Sequence, residues 1–340
     1  MRVRNAKAKG KRVTKVGFAI SNQQKPAQPT KFIFAFCLFG FLPMSLLHSL
    51  SSLWTDPPPA LAFELSEAGV AMARTGKAPD FDFRPLESGV LSVSPLRDNI
   101  IDADKLAAAV CSMVPANGNR KRREAALILP DSCVRVSILD FDSFPSDAKE
   151  QLSLVRFRMK KSVPYDVDSA MLSYHAQSAG GNGKKVDVVV AVAPLEIISR
   201  YEAPFRAAAI EPGLVTLSAL ASLELIHEPG TVVVAKLSGR MLTIMVVSSG
   251  VLKLVRSLEL SHPGIPEIAS DLYPTFVYTE DNLSVKVEKL LLAGFGEMAA
   301  EAKHQFAREL NLPVDVIRAA AGVAGENSLG LVGYLKSLAA

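Results

Sequence analysis

Downstream of Pro59 the chain alternates short apolar runs with longer amphipathic stretches. Ala60–Ser66 and Val70–Arg74 are apolar runs separated by Glu67-Ala68-Gly69, which predicts a β-hairpin. Residues 75–83 read as loop and Glu87–Val93 as a third strand. Asp102 precedes a run of helix formers, and its side chain is suited to accept the first free N–H groups of a helix reaching about Val114. Ala125–Leu129 is a short buried strand ending at Pro130-Asp131, Asn117–Arg123 a polar turn, and Val134–Phe141 the next strand. Ser146 is placed to cap a helix through Lys161, stopped before Pro164, with Leu152, Val155 and Met159 facing inward. Met171–Gln177 and Val186–Val192 read as strands around the glycine-rich turn Gly180-Gly181-Asn182-Gly183. Leu195–Ala209 is then helical, Gly213–Leu217 a strand and Ala219–Ile226 a helix. Residues 134–209 thus form a β-α-β-β-α unit inserted into a larger α/β element.

A second module begins at Gly230. Thr231–Leu237, Met241–Ser248 and Val251–Leu258 are apolar runs joined by Ser238-Gly239 and Ser249-Gly250, the pattern of a three-strand meander. A helix at Ile265–Leu272, a strand at Lys289–Leu292, a helix from Glu297 to Leu310, a short strand at Val314–Ile317 and a closing helix at Ser328–Leu338 follow. Hairpin, strand and helix recur in both modules. The recurrence predicts a two-lobed α/β protein, with a first lobe at 60–228 carrying the insertion and a second at 229–340.

Composition narrows the classes. Of 340 residues, 49% are hydrophobic and 21% charged, which excludes a disordered chain, a coiled coil and a collagen. Cys37, Cys111 and Cys133 are far apart, and His48, His175, His227, His262 and His304 show no ligand spacing, so neither a disulfide framework nor a zinc cluster is expected. One Trp and 7% aromatics offer no stacking platform for nucleic acid. The net charge of +4 comes from the start of the chain: residues 1–31 hold nine basic groups and no acid. Without residues 1–43 the tally is 29 basic against 34 acidic, net −5, so the charge gives no argument for a nucleic-acid partner.

Residues 1–55 form a leader with three readings. Basic segment, apolar run Phe32–Leu42 and Ala60-Leu61-Ala62 follow the order of a membrane anchor or signal peptide, which would direct the remainder outward. Alternatively the start lies at Met44, and Leu46, Leu47, Leu50, Leu53 and Trp54 form an amphipathic helix suited to a membrane surface. The third reading is a basic tail with no ordered role. Pro57-Pro58-Pro59 separates the leader from the fold.

Several stretches in order resemble the type IV pilus assembly protein PilM family: Ala126–Asp131, Arg156–Pro164 followed by Leu172-Ser173-Tyr174, Val189–Ala193 with Tyr201 and Ala209–Pro212, the hairpin Leu242–Arg256 with Ser257-Leu258, and Leu290–Gly296 with Asn311–Val314. The resemblance runs from about Met44 to the end. It implies an α/β fold of the actin-like (ribonuclease H-like) kind, two-lobed with a small inserted subdomain. It also implies a cytoplasmic adaptor at the inner membrane that binds the cytoplasmic N-terminal tail of a bitopic membrane partner, PilN.

Actin-like ATPases hold phosphates between two hairpin turns, each typically carrying an acid followed two residues later by glycine. The acid orients a magnesium-bound water, and the glycine admits backbone N–H groups to the phosphates. The matching positions here are Glu64 and Ser66, then Lys236 and Ser238 with Gly239. The adenosine motif, usually a glycine run, reads Ala293-Gly294-Phe295-Gly296, where Phe295 crowds a nucleotide unless it turns away. The reading is a degenerate pocket in which no ATP hydrolysis and no cofactor are expected, with weak nucleotide binding left open. The alternatives are a working Mg-ATP-binding enzyme and, if the leader is real, an exported or anchored binding protein. Asp131, Ser173 and His175 form a chance triad without the G-x-S-x-G elbow. The basic set Arg156, Arg158, Lys160 and Lys161 suits a helix C-terminus, or a contact with anionic lipid or an acidic partner.

Overall fold

The structure, a computed structural model, describes residues 58–76, 80–114, 123–177, 185–318 and 326–339. The leader, the polar turn before Arg123 and the glycine-rich turn at 180–183 lie outside the described residues. Strands β1 (Leu61–Ser66) and β2 (Gly69–Arg74) form the first hairpin, closed where Ser66 pairs with Gly69. The third strand is β3 (Asp80–Pro85), not Glu87–Val93. Its Asp-Phe-Asp-Phe alternation lies within a stretch expected to be loop, and Phe81 and Phe83 pair with Ala73 and Ala71. Val90 and Leu91 are buried instead through an isolated bridge from Leu91 to Ile100.

Helix α1 (Ala103–Met113) is capped by Asp102, whose carboxylate accepts from Lys105 N at 3.0 Å. Strand β4 (Arg123–Leu129) then runs parallel to β1, and β8 (Ile210–Leu217) parallel to β4. The sheet order is β3-β2-β1-β4-β8. The second lobe repeats it. Strands β9 (Thr231–Ser238), β10 (Met241–Ser248), β11 (Val251–Glu259), β12 (Lys289–Ala293) and β13 (Val314–Val316) lie in the order β11-β10-β9-β12-β13. Each lobe has an antiparallel meander on one side and parallel strands on the other.

Between β4 and β8 sits a third sheet, β5 (Arg135–Phe141), β7 (Val186–Ala193) and β6 (Met171–Gln177), antiparallel in the order β5-β7-β6. Helix α2 (Ala148–Met159) covers one face and is capped by Asp147, not Ser146, through Lys149 N and Glu150 N at 2.9 and 3.0 Å. Burial on both faces explains why β7 is apolar almost throughout. Val188, Val190 and Val192 pack with Val155 and Met159 of α2, while Val189, Ala191 and Ala193 join the main core.

Helix α3 (Leu195–Ala207), expected within the insertion, belongs to the first lobe. Its Ile198, Tyr201 and Phe205 are buried in the main core, and the Phe205 ring meets Phe63 of β1 edge-on at 5.0 Å. The inserted unit therefore ends at Ala193. Helix α4 (Ser218–Ser222) leads to the second lobe, whose outer layer is α5 (Ile265–Asp281) and α6 (Ala299–Leu310). Helix α5 continues well past Leu272, because Thr275 and Thr279 are buried on the same face as Ile268 and Leu272. Helix α7 (Leu329–Ser337) returns to the first lobe and packs on its sheet among Ala62, Ala71, Ala73, Ala126 and Ile128.

The main core is shared by the lobes. Val232, Val234, Met245, Val247 and Leu252 of the second sheet pack with the first lobe and the insertion. The side-chain amide of Gln177 donates to Leu252 O and accepts from Leu252 N, both at 2.8 Å, and Lys253 pairs with Asp187 at 2.6 Å. No helix among the described residues is long and apolar enough to cross a membrane.

Candidate functional site

The two hairpins carry the same signature in register. Glu64-Leu65-Ser66 ends β1 and Lys236-Leu237-Ser238 ends β9, with each serine on the closing pair of its turn. Leu65 and Leu237 are buried in their sheets. Alternation turns Glu64 and Lys236 to the opposite face, where they are 4% and 5% exposed.

The Glu64 carboxylate meets the N-terminus of α7. Oε2 accepts from Leu331 N at 2.7 Å, and Oε1 accepts from Gly330 N at 3.3 Å and from the Ser218 hydroxyl. These are N–H groups that the first turn of a helix leaves without intrahelical partners. Burial raises the carboxyl's pKa above its ordinary value, opposed by the Lys236 charge and the bonds from Ser218 and Leu331. Close approach makes the contact. A Cβ on Gly330 would stand 2.7 Å from Ser218 Cα, and one on Gly333 would stand 2.0 Å from Ala221 O. Only glycine at these two places lets α7 lie this near α4.

The Lys236 ammonium is held by the first lobe. Nζ donates to Asp131 Oδ2 at 2.8 Å, and Asp131 Oδ1 accepts from Ala219 N at 2.6 Å. Both partners are buried, so each charge depends on the other for its solvation. Asp131 is engaged by Lys236 and Ala219, while Ser173 and His175 lie on β6, and the imagined triad does not form. The basic set on α2 is partly neutralised: Lys160 pairs with Asp168 at 2.8 Å, and Arg158 lies 3.5 Å from Asp140 and over the Phe141 ring.

The remaining glycines and serines shape backbone. Ser66 Oγ donates to Gly69 O at 3.2 Å across the first turn, and Gly239 turns the second at φ 57°. The turns face one another: the position of a Cβ on Gly239 is 3.8 Å from Glu67 Oε2. Gly294 and Gly296 have φ 73° and 57° and swing Phe295 into the second-lobe core against Phe306, so its ring does not crowd the cleft. Gly294 follows Ala293, the β12 partner of Lys236, but the charged cluster draws its hydrogen bonds from Ser218, Ala219, Gly330 and Leu331 and not from Gly294 or Gly296.

A cavity of about 100 Å³ between the lobes is lined by Asp131, Arg135, Thr243, Arg256 and Ser257 among others. Small-molecule sites commonly have about 300–1,000 Å³. Magnesium prefers octahedral oxygen ligands with several waters, whereas this cluster offers an ammonium and two carboxylates already engaged with protein donors. Asp131, Ser218, Gly330 and Gly333 complete the cluster. The sequence hints at them only through Pro130-Asp131 closing a buried strand and the Gly-x-x-Gly spacing in the last helix.

No protein-family model matches the chain, and no curated protein matches it. Among solved structures, the PilM-PilN type IV pilus biogenesis complex is similar over 83% of this chain and 99% of that one, with a TM-score of 0.69 and 16% identity. A Bacteroides thetaiotaomicron protein with an actin-like ATPase fold is similar over 80% and 94%, with a TM-score of 0.49 and 11% identity. The cytoplasmic domain of EpsL, an inner-membrane component of the Vibrio cholerae type II secretion system, is similar over 82% and 94%, with a TM-score of 0.43 and 13% identity. The protein thus has the actin-like fold, with two lobes of repeated topology and a small sheet inserted in the first.

Proposed function

We propose that the protein is a non-hydrolysing assembly adaptor of a type IV pilus system. It works at the cytoplasmic face of the inner membrane and holds the cytoplasmic tail of a bitopic partner of the PilN kind. One observation carries the absence of catalysis: the charged residue of each hairpin is committed to a protein partner, Glu64 to α7 and Lys236 to Asp131. The likeness to the PilM-PilN complex over nearly the whole of that chain supports the role. The tail lies in the groove between the first lobe and the inserted sheet, where an extended segment adds to a strand edge.

Calorimetry on the full chain tests the reading. Titration is made with Mg-ATP and with a peptide of the cytoplasmic tail of a PilN-like protein from the same source. Peptide binding without ATP binding is expected. ATP binding that changes peptide affinity would replace the adaptor with a nucleotide switch. Absence of peptide binding would remove the pilus assignment.

A further inference from the structure

Among the described residues the outward face of α5 has no partner. Ile265, Ile268, Leu272, Thr275 and Thr279 point into the second-lobe core. The opposite face presents Tyr273, Val277 and Tyr278 at 63%, 41% and 43% exposure, with Pro274 exposed between them. Tyr273 and Val277, and Pro274 and Tyr278, are each four residues apart, so they form one ridge. Soluble surfaces carry single exposed apolar residues as a matter of course, but two tyrosines and a valine on adjacent turns make a patch.

The charges on α5 itself share one sign, although Arg256 of β11 reaches Thr275 on its inner face at 3.4 Å and Lys286 follows in the next loop. Helix α5 contains Glu267, Asp271, Glu280 and Asp281 and no lysine or arginine. Glu267 is used internally, accepting from Ser261 N and His262 N at 2.8 Å each. Among the described residues no cation pairs with Asp271, Glu280 or Asp281. Glu280 and Asp281 stand in the last turn, where the negative end of the helix dipole disfavours acids. Among the described residues this arrangement has no pairing cation. Helix α6 beside it is ordinary by contrast: its signs are mixed, Lys303 pairs with Asp315 at 2.8 Å, and Gln305 bonds Glu309.

We infer that the outward face of α5 is a docking surface for a basic amphipathic segment of a partner protein. Its apolar side lies on Tyr273, Val277 and Tyr278, and its lysines or arginines reach Asp271, Glu280, Asp281 and the helix C-terminus. Tyrosine rings suit such a contact, since they bury apolar area and accept a cation over their faces. Complementary charge selects a basic segment over anionic lipid, which this face repels. The inference does not depend on the pilus reading and concerns a different lobe from the tail groove.

The test uses the full chain and fluorescence anisotropy with two labelled helical peptides, one of leucine and lysine, the other of leucine and glutamate in the same order. The lysine peptide is expected to bind at least about ten-fold more tightly. The triple variant Tyr273→Ser, Val277→Ser, Tyr278→Ser should lose about ten-fold in affinity with an unchanged melting temperature. The pair Glu280→Lys, Asp281→Lys should weaken binding and reduce its salt dependence. Unaltered affinity in both variants would overturn the proposal. So would binding of phosphatidylglycerol vesicles that the triple variant abolishes, or a dimer in sedimentation that Tyr273→Ser dissolves. A gain in lysine-peptide affinity on removing residues 1–43 would assign the face to the chain's own basic leader and overturn the partner.

Discussion

Glu64-Leu65-Ser66 and Lys236-Leu237-Ser238 occupy the same place in two lobes of the same topology, yet carry opposite charge. Each finds its partner in an element that the other lobe sends across. Glu64 of the first lobe is met by α7, which follows the second sheet in the chain, and Lys236 of the second lobe is met by Asp131 of the first. A repeated fold therefore does not dictate repeated chemistry. The strands fix where the two side chains stand, and what stands opposite decides whether they are a ligand site or an internal joint.

The sharpest way to break this comparison is at Lys236. Lys236→Ala leaves Asp131 buried without its cation, and urea unfolding should show a loss of about 3–5 kcal/mol. Lys236→Met combined with Asp131→Asn should recover most of it. The neutral pair needs no charge solvation, and the amide oxygen of the substituted side chain can still accept from Ala219 N. A single variant as stable as the wild type would mean that the joint is not formed.

Gly333→Ala comes next. The new methyl meets Ala221 O, so α7 must shift from α4, at an expected cost of about 3 kcal/mol in thermal or urea unfolding. Glu64→Gln keeps an acceptor for α7 but replaces the other oxygen by a donor, with an expected loss of about 1–2 kcal/mol at neutral pH. Its pH dependence is diagnostic. The native pKa of Glu64 is raised above 4.5, so between 4.5 and the raised value the folded protein holds more of this proton than the unfolded chain. Wild-type stability relative to Glu64→Gln should therefore fall as pH rises through that window and grow on acidification. A gap that narrows in acid would show the carboxylate to be stabilised as an anion.

The smallest effects belong to the insertion. Gln177→Ala breaks the paired bonds to Leu252 and should cost about 1–2 kcal/mol, and Lys253→Ala, at a partly exposed pair, about 0.5 kcal/mol. Equal losses at the two sites would mean that the buried amide pairing contributes no more than the ion pair.

Much of the fold was legible because its signals are local. Asp102 ahead of a helical run, Ser238-Gly239 between apolar strands and the recurrence of hairpin, strand and helix all speak through near neighbours. Phe81 and Phe83 show the limit: their alternation is too short, among aspartates, to stand out from loop. The apolar face of α3 suits either the insertion or the lobe, and only contact with Phe63 decides. The candidate site was half legible. Glu64 and Lys236 break the apolar pattern of their strands and so attract notice, whereas the partners that hold them are 105 or more positions away, beyond any sequence period.

That separation bears on how the protein is made. Glu64 emerges from the ribosome 266 and 267 positions ahead of the amides that cap its carboxylate. Once β8 has joined the first sheet, its alanine-lined face is covered only in part, by Ala221 of α4, until Leu331 and Tyr334 of α7 arrive. Folding of the first lobe thus includes a late long-range docking step, the slow kind of folding event. Fusions or stalls that delay α7 will leave a half-finished lobe for chaperones to shelter.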